Sequence, residues 1–228
     1  DFDNNGFEEI FFNNIGEPNR LFEYNEFLGV WESKNLGPAL EPDGLGTGAV
    51  VADLNLNGRL ELFISHGESG RQPLTIYENV RNDNNFIRIL PLTKFNAPAR
   101  GAKVKVIQNS RAQIRFIDSG SGYLCQMEPV AHFGLGKNKN VIKVIVEWPD
   151  GNKKEILNPI PNKTIKVLYW YLKSQILIKV LLGLKDLGIH ALPIHDAVVV
   201  GKAWVDMSKE LMEQVFLDMT NLESWVQV

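Results

Sequence analysis

With one cysteine, Cys125, in 228 residues, the chain can form no intramolecular disulfide. Its stability has to come from core burial, helped where needed by metal. It also lacks any apolar run of membrane-spanning length. Its net charge of −3 gives no reason to expect nucleic acid or an anionic membrane surface as a partner. There is no initiating Met and no signal-peptide pattern, and the first residue already lies inside a turn motif. The sequence therefore reads as a fragment whose beginning is missing. A hydrophobic share of 44% and a charged share of 22% are ordinary for a globular protein. The length suits one large or two small domains, each able to build a core. The shortage of cysteine leaves the compartment open, because outer domains stapled by a hard cation need no disulfides.

Against those absences stands one motif present twice. Asp1-Phe2-Asp3-Asn4-Asn5-Gly6-Phe7-Glu8-Glu9 and Asp53-Leu54-Asn55-Leu56-Asn57-Gly58-Arg59-Leu60-Glu61 share the form [DN]-x-[DN]-x-N-G-x-x-E, offset by 52 residues. Oxygen-bearing side chains at alternate positions, followed by a turn glycine, are what Ca²⁺ requires. Asp1, Asp3, Asn5 and Glu9 form one candidate ligand set, and Asp53, Asn55, Asn57 and Glu61 the other. A helix-loop-helix calcium site would place Glu at the twelfth position, but Phe12 and Ile64 stand there. The ninth-position carboxylates close these loops instead, and β-prone residues follow, so the loops are expected to join strands. The bland reading is a metal-free turn rich in Asn, Asp and Gly. Two copies with matching ninth residues favour the calcium reading. The second loop has fewer charged ligands, so the first is expected to bind more tightly where its upstream strand is present.

Along the chain, strand patterns dominate up to residue 168. They are expected at 48–52, 61–65, 74–77, 86–90, 102–107, 112–117, 141–148, 153–157 and 163–168. Alternation in 102–106, 113–117 and 142–146 implies sheets with one wet face. Pro149-Asp150-Gly151-Asn152 reads as a hairpin turn. The 52-residue period suits propeller blades. From residue 171 the texture changes: a helix over 171–187, a strand region over 192–200, then a helix capped by Asp206 with Met207, Leu211, Val215, Phe216 and Met219 along one stripe. The expected fold is mainly β, with partial propeller blades over 1–95, a small β domain over 96–170 and a short α/β tail over 171–228.

Several runs resemble a known family. Gly46-Thr47-Gly48, Ser65-His66-Gly67-Glu68-Ser69, Ala99-Arg100-Gly101-Ala102-Lys103-Val104 and Gly120-Ser121-Gly122-Tyr123-Leu124-Cys125-Gln126-Met127-Glu128-Pro129-Val130-Ala131-His132-Phe133-Gly134-Leu135-Gly136 are similar to the cartilage acidic protein family. There, FG-GAP (VCBS, integrin-α-like) repeats precede an ASPIC/UnbV domain. The resemblance covers about residues 1–168. It implies calcium-dependent propeller blades, a small β domain, an extracellular or cell-surface location, an extracellular protein or matrix partner in adhesion, and no catalytic mechanism. It places the eight loop residues named above in calcium sites. The tail resembles motif C of family A DNA polymerases and single-subunit RNA polymerases at His195-Asp196, where Asp196 would hold a metal. No partner motif accompanies it, and two-metal chemistry needs a second carboxylate. The alternative reading is a chimeric fragment with a polymerase-derived tail.

Other residues that tempt a mechanism have simpler roles. His132, among apolar neighbours, reads as a hydrogen-bonded structural histidine. His66 with Glu68 lacks a nucleophile and reads as loop packing. Ser121 between glycines reads as a turn, and Cys125 as a buried inert thiol. Asn162-Lys163-Thr164 is a glycosylation sequon.

Overall fold

The computed structural model describes residues 1–67, 69–79, 83–109, 111–169, 171–194 and 197–220, with backbone alone at 171–175, 192–194, 197 and 219–220. Two compact units result, Asp1–Val167 and Leu168–Val228.

The regular elements of the first unit are strands, apart from one 3-10 turn at Gly37–Leu40. The segment after the first loop supplies β1 (Ile10–Phe12), β2 (Arg20–Asn25) and β3 (Val30–Lys34), paired antiparallel in that order. The second loop connects β4 (Gly46–Ala52) to β5 (Glu61–His66), and β6 (Thr75–Tyr77) completes the sheet β4-β5-β6. The unit loop–strand–strand thus occurs twice. Leu62 and Ile64 of β5 point one way at period two and are buried with Ala39, and Phe2 and Phe11 from the first copy pack on them. Each loop is therefore held at the edge of a small apolar core. Among the described residues the two sheets form no closed ring.

Seven further strands follow. β7 (Asn85–Leu92) is the middle of a three-stranded sheet β10-β7-β13, with β10 at Ala131–Gly136 and β13 at Thr164–Leu168. A four-stranded sheet has the order β12-β11-β8-β9, built from β8 (Lys103–Ile107), β9 (Ala112–Phe116), β11 (Lys143–Glu147) and β12 (Lys153–Leu157). Val104, Val106, Val144 and Val146 have no exposed surface and fill its inner face, each contributing about 1.5–3 kcal/mol by burial. Trp148 Nε1 donates to the carbonyl of Leu92 at 3.0 Å, tying β11 to the end of β7. The turn at 149–152 forms as expected: Trp148 N donates to Asn152 O (2.8 Å), and Gly151 takes φ +85°.

Every expected strand is present to within a few residues, while β2, β3 and β10 were not foreseen. β10, Ala-His-Phe-Gly-Leu-Gly, carries two glycines and so little strand propensity. β9 reverses the expected alternation. Ile114 and Phe116 are 42% and 65% exposed, while Gln113 is buried at 6%. The inward polar residues of β9 serve the loops, as described below.

The second unit packs α1 (Tyr171–Asp186) and α2 (Val205–Thr220) on a hairpin of β14 (Ala191–Ile194) and β15 (Ala197–Val200). Val180, Leu184 and Ile189 form its core with Leu211, Met212 and Val215 of α2. α1 ends where Gly188 turns left-handed (φ +69°) and Ile189 N donates to Leu184 O at 2.8 Å. The buried stripe of α2 is rotated from expectation: Ser208, Leu211, Met212 and Val215 face the core, Met207 is 45% exposed, and Asp206 sits within the first turn rather than at the cap. The side chain of Met219, and all of His195 and Asp196, lie outside the described residues.

Candidate metal-binding loops

The two loops share one hydrogen-bonding scheme. The first carboxylate receives the turn glycine: Gly6 N donates to Asp1 Oδ1 at 3.0 Å, and Gly58 N to Asp53 Oδ2 at 2.9 Å. The third residue receives the fifth: Asn5 N to Asp3 Oδ1 (2.8 Å) and Asn57 N to Asn55 Oδ1 (3.1 Å). The fifth receives the seventh: Phe7 N to Asn5 Oδ1 (2.7 Å) and Arg59 N to Asn57 Oδ1 (2.8 Å). The ninth-position glutamate receives the second residue: Phe2 N to Glu9 Oε2 and Leu54 N to Glu61 Oε2, both 2.8 Å. Asn4 (φ +60°) and Leu56 (φ +59°) adopt the same left-handed conformation. Both loops therefore turn their oxygen-bearing side chains inward on the same frame.

Their charges differ. In the first loop Asp3 has its carboxyl pushed above the ordinary value, chiefly by burial and further by Glu9 and by Glu23 of β2. Between Asp3 and Glu23 stands the neutral amide of Asn5, whose Nδ2 donates to Asp3 Oδ2 (3.0 Å) and Glu23 Oε1 (3.3 Å), while Lys34 Nζ pairs with the other oxygen of Glu23 at 2.6 Å. Crowded, partly buried carboxylates with a neutral amide between them fit a hard cation. Among the described residues, no three His, Cys, Asp or Glu side chains converge closely enough to hold a metal on their own. A cation here would need the neutral oxygen of Asn5 and backbone carbonyls as well, as calcium loops commonly do. In the second loop, by contrast, Asp53 Oδ2 accepts from Arg88 Nη1 at 2.9 Å, with both side chains 1% exposed. The other Arg88 nitrogen reaches Glu128, whose Oε1 also accepts from Asp53 N at 3.2 Å.

Both loops dock on the β7–β10 pair, where Arg88 lies opposite His132 and Phe86 opposite Gly134. Gly134 N donates to Asp1 Oδ2 at 2.6 Å, and His132 Nε2 bonds Asn4 Oδ1 at 2.6 Å. Asn4 Nδ2 in turn donates to the carbonyl of Gly58 at 2.9 Å, linking the loops directly. Gln113 Nε2 of β9 donates to Gly134 O (2.7 Å), and Arg115 Nε reaches Glu8 at 3.1 Å. Arg111 Nη2 caps the carbonyl of Asn5 at 2.6 Å. Residues 92–170 of this sheet region match the ASPIC and UnbV family. Human cartilage acidic protein 1 is 48% identical over 182 residues, which is 74% of this chain and 27% of that protein. The mouse protein is 47% identical over 182 residues, covering 74% and 28%. The protein from Xenopus tropicalis is 49% identical over 160 residues, covering 66% and 25%. The chain belongs to the cartilage acidic protein family. It spans about a quarter of the length of the family members it matches.

Within the family match lie most of the residues that grip the loops: Arg111, Gln113, Arg115, Glu128, His132 and Gly134. None has a local sequence signal tying it to a loop. Arg88 did offer one, as an arginine in the otherwise apolar run of β7. His132 is the hydrogen-bonded structural histidine expected. Burial, with Arg88 and Arg115 nearby, holds its ring well below the usual histidine value, hence neutral. A cavity of about 230 Å³ beside the first loop is lined by Asp1, Glu8, Arg115, Ser121, Glu128 and His132, but the Nε2 of that histidine is already committed to Asn4.

His66 pairs with Glu41, Nε2 to Oε2 at 2.8 Å, while its Nδ1 faces Pro73 O at 2.7 Å. Glu68 lies outside the described residues. Glu41 also accepts from Thr75 Oγ1 and Tyr77 Oη, each at 2.6 Å. Burial raises its carboxyl, and these hydrogen bonds outweigh that, leaving it below the ordinary value. The group is loop packing around one carboxylate, which the sequence reading missed. Ser121 sits in a turn, its N–H on Cys125 O at 3.2 Å. Cys125 is half-buried rather than buried, with its Sγ close against Gly48 of β4. The sequon nitrogen, Asn162 Nδ2, donates to Asn85 Oδ1 at 3.0 Å.

Proposed function

We propose that this chain is a non-catalytic, calcium-dependent interaction module of the extracellular space, in which the two loop–strand–strand units are propeller blades of FG-GAP type leading into the ASPIC/UnbV domain. The observation that carries this reading is the duplicated loop geometry, with four matching backbone–side-chain bonds in each copy. Asp1, Asp3, Asn5 and Glu9 would hold Ca²⁺ at the first loop; Asp53, Asn55, Asn57 and Glu61 form the corresponding set. A bound calcium ion supplies positive charge among carboxylates that otherwise repel. The chain's own part is to present those oxygens in fixed directions and to brace both loops against β7 and β10. The stiffened loop surface would be read by an extracellular protein or matrix partner. Among the described residues, His66 bonds Glu41 and Pro73 and His132 Nε2 bonds Asn4, none of them a nucleophile, which supports a binding rather than a catalytic role.

Thermal unfolding of the full chain in Ca²⁺, in Mg²⁺ and in chelator tests this. Binding to the folded state alone adds about 2.7 kcal/mol at a hundredfold excess over Kd. The expected result is a calcium-specific rise in midpoint that Asp3→Asn largely removes. Equal midpoints in all three media would refute it.

A further inference from the structure

We infer that Arg88 is the resident cation of the second loop, so that the loop at Asp53 closes without metal and only the loop at Asp1 takes Ca²⁺. The inference rests on the calcium reading of the first loop and narrows it. Asp53 Oδ2 accepts from Gly58 N (2.9 Å) and Arg88 Nη1 (2.9 Å), which fills both of its lone-pair directions. Asp53 Oδ1 accepts from Asn57 N at 2.9 Å. The remaining ligand candidates, apart from Glu61, are the neutral Asn55 and Asn57. Arg88 is 1% exposed and braced on its far side by Glu128. It cannot swing out to admit an ion without leaving buried charges unpaired. An ion arriving beside Asp53 would meet a like charge at contact range.

At the equivalent point of the first loop, among the described residues, no guanidinium hydrogen-bonds the leading carboxylate; Arg111 donates instead to the carbonyl of Asn5 at 2.6 Å. Asp1 Oδ2 takes the neutral N–H of Gly134, and Arg115 stands off at 3.7 Å with its Nε on Glu8. The same strand pair, β7–β10, thus reads one loop with a peptide dipole and the other with a full positive charge. The duplicated loops thus differ at the leading carboxylate: Asp53 is hydrogen-bonded to a buried guanidinium, and Asp1 to a neutral N–H.

The test is the number of Ca²⁺ ions bound per full chain, by isothermal titration and Tb³⁺ luminescence. It is run on the free and the Nα-acetylated protein, since acetylation removes the terminal charge that lies 3.0 Å from Glu9. One ion is expected. Asp3→Asn should weaken it by about tenfold or more, because affinity follows ligand charge. Glu61→Gln, which leaves the Arg88–Asp53 pair intact, should leave count and affinity unchanged. Arg88→Met should raise the count to two. If Arg88→Met does not fold even in calcium, the Glu61→Gln comparison decides alone. Two ions in the unsubstituted chain, one lost with Glu61→Gln, would overturn the role of Arg88 while sparing the first site. No ion at all would remove the calcium reading and this inference with it.

Discussion

Gly134→Ala should detach the first loop from its support. A Cβ at Gly134 would lie 2.5 Å from Asn4 Cα and overlap the carbonyl carbon of that residue and Asp1 Oδ1. These are mainly backbone atoms, so no side-chain rotation relieves the clash. Forcing one carbon into a packed contact costs about 1–3 kcal/mol. The displaced loop also loses the bond from Gly134 N to Asp1 Oδ2, now 2.6 Å, and a hydrogen bond to a charged group contributes about 1.5–3 kcal/mol. The expected loss is about 2.5–6 kcal/mol. Gly120→Ala is the control. Its added carbon would come no nearer than 3.8 Å to another residue, and its φ is ordinary, so a gain of about 0.4–1 kcal/mol is expected from the stiffer unfolded chain. Urea unfolding read by hydrogen exchange at the β7 and β10 amides isolates this unit from the helical one. Gly134→Ala within about 1 kcal/mol of the unsubstituted chain would refute the argument, since one added carbon in a packed contact should alone cost that much.

Trp148→Phe removes the donor to Leu92 O and leaves a buried carbonyl unpaired, so a loss of about 1–3 kcal/mol is expected in the same assay. His132 titrates below its free value because burial, with Arg88 and Arg115 close by, disfavours its charge. Below pH ~6.5 the unfolded chain then binds the proton that the folded chain refuses. Stability should therefore fall as pH drops from about 6.5 toward the folded-state value. His132→Gln should flatten that slope in urea midpoints taken across the window, and an unchanged slope would count against the assignment.

What could be read in advance was what depends on near neighbours. The ligand pattern, the closing glutamates and the turn glycines fall within nine residues, and β8 shows in its alternation of valine with lysine. The grip on the loops could not be read that way. Gly134 lies 133 residues from Asp1, and His132 lies 128 from Asn4; nothing local distinguishes them from turn or core residues. β9 misled for a related reason. Alternation shows that two faces differ, but not which faces inward, and here the polar set of Gln113 and Arg115 does, because the loops need hydrogen bonds there. Glu41 carries no local signal, because its partners arrive from β5 and β6, 25 to 36 residues on.

The bonds from Gly134 to Asp1 and from His132 to Asn4 also bear on how the chain is made. Translation proceeds at about 5–20 residues per second, so the first loop waits on the order of ten seconds for β10 to follow it off the ribosome. Through that interval its carboxylates face one another without the N–H of Gly134. The loop written first in the sequence is among the last parts of its unit to be finished.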